Sequence, residues 1–373
     1  MFEISQTRQP RGVVKINGTP IWGWVSFDVT VNAYREADTF SVVFAMKGLP
    51  PEHDVAWFAE QTTMQIEIWA GFPLDPDHYT SDDLELLISG HVDDTSVNLV
   101  ARTIEVTGRD LTSLFIDAKT AESFKNQTAA QVVQTLASRH GLSVDIKVSD
   151  ASSLQGAFYQ IDHAIATQGQ TEWDLLCSLA QFVGAIAYVR GMTLHFVDTP
   201  GDDNAQQFPV TWVNPDVAQT FRANVANVKF ARSLTAGKTV TVTVRSWNLQ
   251  QGTSFSVSIP NTPGPSAHPG KAASPTQNYS RAFPNLTKED ATKRAQTIYN
   301  EIVKNEMRAT IDMPAANPSD FDITYRIPIT GTGTVFDQTY FPHSIRRSMS
   351  MSGGYTMSID SSNHSDEVKE AAK

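Results

Sequence analysis

The residues able to do chemistry are scattered. Of the nine histidines, none has a second ligand type at i+3 or i+4 on a recognisable helix, the spacing that would put two metal ligands on one face. His91 and His343 fall near the starts of two strand pairs, and His195 lies in a strand. His140 follows a helix, where a cation complements the dipole. Each reads as a structural histidine. The adjacent acids Asp93-Asp94 and Asp202-Asp203 have the right groups for proton transfer, yet neighbouring acids in turns read as solvated. A glycosidase needs two carboxylates across a sugar cleft, and nothing selects such a pair. The acidic stretch Asp75-Pro-Asp-His-Tyr-Thr-Ser-Asp-Asp83 superficially suggests calcium. It lacks the central Gly and closing Glu of an EF-hand loop, so it reads as a solvated loop. Cys177, the one cysteine, sits in a helical pattern and reads as packing. No His-Glu-x-x-His, Gly-x-Ser-x-Gly, Walker loop or Gly-x-Gly-x-x-Gly occurs. The expectation is therefore of no enzyme, and of no catalytic, cofactor-binding or metal-ligating residue.

At 373 residues, 40% hydrophobic and 18% charged, the chain has room for two or three globular domains. The longest apolar run, Phe182 to Val197, is interrupted by Arg190, Gly191 and His195, and none approaches a membrane span. The start, Met1-Phe-Glu-Ile-Ser-Gln-Thr-Arg8, lacks a basic-then-apolar leader, so export by that route is not expected. A lone cysteine forms no internal disulfide, and folding needs no oxidising compartment. A net charge of −11 argues against duplex binding, which relies on Lys and Arg to displace counterions. It is compatible with a wall past which DNA slides, but plain solubility is the favoured reading.

The first hundred residues read as β-structure. Val14 and Ile16 lead into Asn17-Gly18, suited to the positive φ angles of a tight hairpin. Strict alternation follows at Val25, Phe27, Val29 and Val31, then at Phe40, Val42, Phe44 and Met46. Met64, Ile66 and Ile68, then Leu84, Leu86 and Ile88, then Ile104 and Val106 continue it, the pattern of an antiparallel sheet or barrel. From Leu111 the period changes. Ala129, Val132, Val133 and Leu136 share a helix face that Thr128 caps and Gly141 ends. A second helix starts at Thr171, with capping-box spacing to Asp174, and buries Trp173, Leu176 and Ala180. A hairpin joins Ala185–Val189 to Met192–Val197 through Arg190-Gly191.

Strands resume around Val225, Val228, Val240–Val244 and Phe255–Ile259. The breaker-rich stretch from Pro260 to Gly270 holds no regular structure. A long helix from near Thr287 carries Ala291, Ala295, Ile298 and Ile302, and packing on its own sheet is favoured over a coiled-coil seam. Further strands surround Ile311, Ile323–Ile329, Ile345 and Met357–Ile359. Val92, Ser96, Ile104 and Val106 are echoed in spacing by Ile345, Met349, Met357 and Ile359, as if two domains close with copies of one long hairpin.

Two segments carry a resemblance. Thr103-Ile-Glu-Val-Thr-Gly-Arg-Asp-Leu-Thr-Ser-Leu-Phe-Ile-Asp117 is a strand ending in Gly-Arg-Asp-Leu, then an apolar run to an Asp. Tyr340-Phe-Pro-His-Ser-Ile-Arg-Arg-Ser-Met-Ser-Met-Ser-Gly-Gly-Tyr-Thr-Met-Ser-Ile-Asp360 is a closing hairpin with a Gly-Tyr-Thr return strand. Both are similar to the baseplate hub family of contractile tails, which includes phage late control D proteins and the hub part of type VI secretion VgrG spikes. Thr171-Glu-Trp-Asp-Leu-Leu176 and Gly191-Met-Thr-Leu-His-Phe196 resemble that family's middle domain. The order covers nearly the whole chain.

The resemblance implies a mainly β fold with an α+β insertion: two tube-like antiparallel β-barrel domains flanking a smaller α/β domain. The expected boundaries are 1–113 and 206–360 for the barrels and 114–205 for the α/β domain. The second barrel would hold the long helix, about 287–307, and the Pro/Gly-rich loop 260–281. A polar tail, 361–373, would follow as a frayed or partner-bound helix. The implied function is a virion baseplate hub, assembled in the host cytoplasm. As a homotrimer of pseudo-sixfold symmetry it would join a hexameric tail tube protein to a trimeric central spike protein. Tape measure protein and other baseplate proteins would be further neighbours, with DNA passing through the lumen unbound and no membrane contact. The chain departs from the family at Thr330-Gly-Thr-Gly-Thr334, where a Pro-Gly-Asp turn is usual. It also shows no OB-fold, β-helical needle or lysozyme-like domain, so a separate spike polypeptide is expected. The competing readings are a tail-associated cell-wall hydrolase or carbohydrate-binding tail-tip protein, and a tail tube or distal tail component of other stoichiometry.

Overall fold

The computed structural model describes residues 9–33, 36–119, 124, 127–148, 171–198, 205–213, 222–233, 240–248, 253–260, 277–284, 288–303, 307–315 and 321–363. Most of the Pro/Gly-rich loop, the pair Asp202-Asp203 and residues 364–373 of the tail lie outside them. Ten strands come first: β1 (Arg11–Ile16), β2 (Thr19–Pro20), β3 (Trp24–Asn32), β4 (Thr39–Ala45), β5 (Gln65–Gly71), β6 (Glu85–Asn98), β7 (Thr103–Asp110), β8 (Ser143–Lys147), β9 (Ala185–Arg190) and β10 (Thr193–Asp198). Ten more follow: β11 (Val210–Val213), β12 (Arg222–Ala223), β13 (Asn227–Arg232), β14 (Val240–Asn248), β15 (Thr253–Pro260), β16 (Gln277–Pro284), β17 (Met307–Pro314), β18 (Ile327–Thr330), β19 (Thr339–Ser350) and β20 (Gly354–Ser362). The helices are α1 (Val55–Glu60), α2 (Thr112–Asp117), α3 (Ala129–Arg139), α4 (Glu172–Val183) and α5 (Lys288–Val303). The fold is mostly β, and it divides into two compact units.

The first unit takes residues 1–201, 312–323 and 343–359. Its large sheet runs β19-β3-β4-β7-β6-β5-β1-β2, with each neighbouring pair antiparallel. The alternation is what builds it: Val14, Ile16, Phe27, Val29, Val42, Phe44, Ile66, Ile68, Ile104 and Val106 are all buried on one face. The sheet curls over itself. A Cβ on Gly12 of β1 would stand 2.9 Å from the Phe27 ring of β3, a close approach that only glycine allows. Phe72 and Tyr355 meet with ring centroids 5.9 Å apart. The strand order is a path, and no ladder closes it into a ring among the described residues. Asn17 and Gly18 adopt φ 50° and 78°, the expected turn.

Two expected core residues face outward instead. Val25 is 37% and Leu86 38% exposed. A bulge between Trp24 and Ser26 turns Trp24 inward in place of Val25. Another between Ile68 and Trp69, opposite Leu86, does the same on β6. An extra residue flips the face, and strict alternation in the sequence does not reveal it.

Within the same unit, β8 pairs parallel with β10, and β10 antiparallel with β9. Helices α2, α3 and α4 pack on this small sheet through Phe115, Val133, Leu136, Leu176, Leu194 and Phe196. Thr128 and Thr171 both form complete capping boxes, with Gln131 and Asp174 as their partners. Buried Glu172 bonds His140 at 2.6 Å and Arg139 at 3.1 Å, tying the start of α4 to the end of α3.

The second unit takes residues 202–311, 324–342 and 360–373. Here β12-β11-β18-β19 form one set of neighbours, and β13 pairs with β17. A separate three-stranded sheet, β15-β14-β16, is covered on one face by α5, where Val242, Val244, Ala291 and Ala295 have no exposure. The helix thus packs on its own sheet, as its short apolar stripe suggested; the side chain of Ile302 lies outside the described residues. The expected tail at 361 is a strand instead: β20 continues through Ser362. Ser361 Oγ donates to the Ala309 carbonyl at 2.8 Å, and the Asn363 N–H donates to the Met307 carbonyl at 3.1 Å. Polar side chains concealed that strand, because their hydrogen bonds satisfy them in a buried position.

Candidate functional site

The sequence-flagged groups do not converge. Asp93 and Asp94 are successive in β6, and Asp93 is taken up by Arg109. His91 pairs across from Gln65. His195 lies between Asp145 and Tyr188 on neighbouring strands, its Nδ1 3.2 Å from Asp145 Oδ2 and its ring stacked on Tyr188 at 4.8 Å. Such cross-strand satisfaction is what a sheet surface ordinarily provides. Cys177 packs in part against the helix core. In the acidic loop, Asp75 accepts from the Asp77 and His78 N–H groups, and Thr80 with Asp83 caps a short 3-10 turn. Its acids organise the loop's own backbone. Among the described residues no three His, Cys, Asp or Glu side chains are arranged to hold a metal ion.

The Gly-Arg-Asp-Leu segment does build something. A Cβ on Gly108 would lie 2.0 Å from the His91 carbonyl oxygen, so this crossing of β7 and β6 admits no side chain. Arg109 forks onto Asp93 (2.7 and 2.9 Å) and reaches Asp117 (3.2 Å), bracing α2 against the sheet. Asp110 turns inward, is 5% exposed, and accepts from Thr112 Oγ1 at 2.7 Å. Its N–H donates to the Asp38 carbonyl at 2.9 Å.

Asp38 is likewise buried, at 5% exposure, and accepts from the Asn32 N–H at 2.8 Å and from Arg190. Arg190, the last residue of β9, reaches Asp322 at 3.0 Å with its other nitrogen. Two carboxylates therefore share one guanidinium, and Asp110 lies within the field of its charge without bonding it. Burial, then the charge of Asp38, pushes Asp110 up to about 8, with Thr112 pulling the other way. Burial also raises Asp38, against the pull of Arg190. The group surrounds a cavity of about 10 Å³ lined by Asn32, Glu36, Asp38, Asp110, Thr112 and Arg190 among others. That is room for about one water and for no organic substrate. Its physical effect is to fasten the small sheet to the large one.

Sequence reasoning missed Asp38 and Asp322, and read Arg190 as a turn residue. The partners of Arg190 stand 152 and 132 positions away, and no local pattern marks so distant an ion pair.

No family model and no curated protein sequence matches the chain. Solved structures do. The chain is similar to the 43 kDa tail protein of prophage MuSo2 from Shewanella oneidensis, with TM-score 0.69 and 17% identity, over 95% of this chain and 98% of that one. It is similar to a tail protein from Neisseria meningitidis MC58, with TM-score 0.68 and 13% identity, over 97% and 100%. A Francisella PdpA-VgrG complex matches with TM-score 0.55 and 9% identity, over all of this chain and 60% of that one. The fold is that of phage tail proteins, and a chain of the PdpA-VgrG complex shares it over part of its length. No described helix is long and apolar enough to cross a membrane.

Proposed function

We propose that this chain, with the fold of phage tail proteins, is a structural hub of a contractile-tail baseplate and performs no catalysis. The observation that carries the reading is the completeness of the likeness. It runs end to end along both this chain and two tail proteins, so it is not one module shared by unrelated assemblies. The further match to part of a chain of the PdpA-VgrG complex supports the hub over a distal component. In this reading three copies form the ring, and each supplies two β-built units, so six similar units face a hexameric tube while three chains meet a trimeric spike. Tape measure protein and other baseplate proteins would contact the same ring. The −11 charge disfavours adhesion to DNA passing through it.

The test is to isolate tails that contain this chain and count its copies by quantitative mass spectrometry. Three copies per tail are expected, with no turnover of purified peptidoglycan. Six copies, or peptidoglycan turnover abolished by a single carboxylate substitution, would overturn the hub assignment.

A further inference from the structure

In the first unit five strands end level with one another. Ser350 of β19 pairs with Ser26 of β3, Trp24 of β3 with Phe44 of β4, Ala45 of β4 with Thr103 of β7, and Thr103 with Asn98 of β6. With neighbouring strands about 4.8 Å apart, their turns form a row about 20 Å long. Backbone bonds tie the row together. The Met351 N–H donates to the Val25 carbonyl (3.2 Å), Ala45 to Gly23 (2.8 Å) and Met46 to Arg102 (3.0 Å). The turns themselves are fixed. Asn98 Oδ1 accepts from the N–H groups of Val100 (3.1 Å) and Ala101 (2.9 Å), and Ser350 Oγ from Gly353 (2.8 Å).

On this fixed frame stand Val100, 96% exposed, Met351 (75%), Leu99 (72%) and Trp22 (59%). Single exposed hydrophobics are ordinary, but several held in a row make an interaction patch. Segments 22–25, 46–50, 98–103 and 350–354 contain Lys47 and Arg102 and no acid, in a chain whose net charge is −11. Both cations are exposed. Arg102 also adopts φ 57°, where Gly or Asn would sit with less strain. The turn therefore does not explain the guanidinium.

The geometry points to this end of the sheet as the docking surface for a different tail protein, one that presents an apolar face rimmed by carboxylates. The inference rests on the hub reading and assigns one of its interfaces. A symmetric contact between two copies would bring two Lys47 and two Arg102 side chains together, and like charges across an interface disfavour it. An acidic rim does the reverse. The rigid turns lose little freedom on binding.

The test places photoreactive benzoylphenylalanine at Val100 or Met351 in chains assembled into intact tails. Irradiation is followed by mass spectrometry of the crosslinked peptides. The expected product joins either position to a peptide of another tail protein that carries Asp or Glu beside apolar residues. The double variant Lys47→Glu, Arg102→Glu should lower that product at least about tenfold, with an unchanged melting temperature. Crosslinks to a second copy of this chain or to lipid, no crosslink from either position, or an undiminished yield in the double variant would overturn the inference while leaving the hub reading standing. Absence of the chain from purified tails would overturn both.

Discussion

Replacing Asp110 with Asn should remove much of the pH dependence of stability between about pH 5 and about pH 8. Burial and the neighbouring Asp38 charge raise this carboxyl from 3.8 to about 8. A carboxyl raised by folding holds its proton more tightly in the folded chain than in the unfolded one. Unfolding thus releases a proton throughout the window between the two values. The associated stability is fully present below 3.8 and is lost as the pH climbs through about 8. Each pH unit corresponds to ~1.4 kcal/mol, so the fall from about pH 5 to about pH 8 is at most on the order of 4 kcal/mol. It is an upper bound because the carboxyl is still half protonated at about pH 8, its own midpoint, so the slope has already begun to lessen there. The side-chain oxygen of Asn still accepts from Thr112, so folding should survive the change. The assay is the urea midpoint of the full chain and of Asp110→Asn at matched pH values. Taking the difference cancels the histidines and other groups common to both. The wild type should lose stability relative to the variant as pH rises. Parallel curves, or a difference of opposite slope, would refute the assignment of a retained proton to this cluster.

Three further outcomes follow from the packing. Arg190→Met leaves buried Asp38 without its cation and should cost about 3 kcal/mol in chemical denaturation, with Asp38→Asn recovering part of the loss. Gly108→Ala forces a methyl against the His91 carbonyl and should cost more than about 4 kcal/mol or prevent soluble expression, whereas Val100→Ala at the exposed turn should stay within about 0.5 kcal/mol. Phe115→Ala empties a site with no exposure beneath α2 and should lower stability by about 3–5 kcal/mol, read from the denaturation midpoint.

Local signals were legible and distant ones were not. Asn17-Gly18, the cap at Thr128 and the box at Thr171 depend on a few adjacent residues, and each forms as expected, with Gln131 completing a box at Thr128 as well. The spacing echo does mark two long hairpins, β6-β7 and β19-β20. Its residues 92–106 and 345–359 all belong to the first unit, so the echo does not mark the closing of two separate domains. Alternation found the core of the large sheet but misplaced Val25 and Leu86, because a bulge depends on the partner strand. Ser361 and Ser362 looked like a polar tail, since their burial depends on hydrogen bonding that hydropathy does not register. Asp110 belonged to a recognisable segment, yet its partners Asp38 and Arg190 carried no local sign. The exposed turns at Leu99-Val100 and Met351 were equally silent, because sequence does not show which turns share an end of a sheet.

The pairing of β19 with β3 sets a schedule for synthesis. Residues 26–32 acquire this neighbour only when residues 344–350 have left the ribosome. At 5–20 residues per second that interval is roughly 15–60 s, during which the nascent amino-terminal strands lack the neighbour that flanks them in the finished sheet. A chaperone able to shelter them for that time would raise the yield of folded protein, and fragments ending before residue 344 would be prone to aggregate.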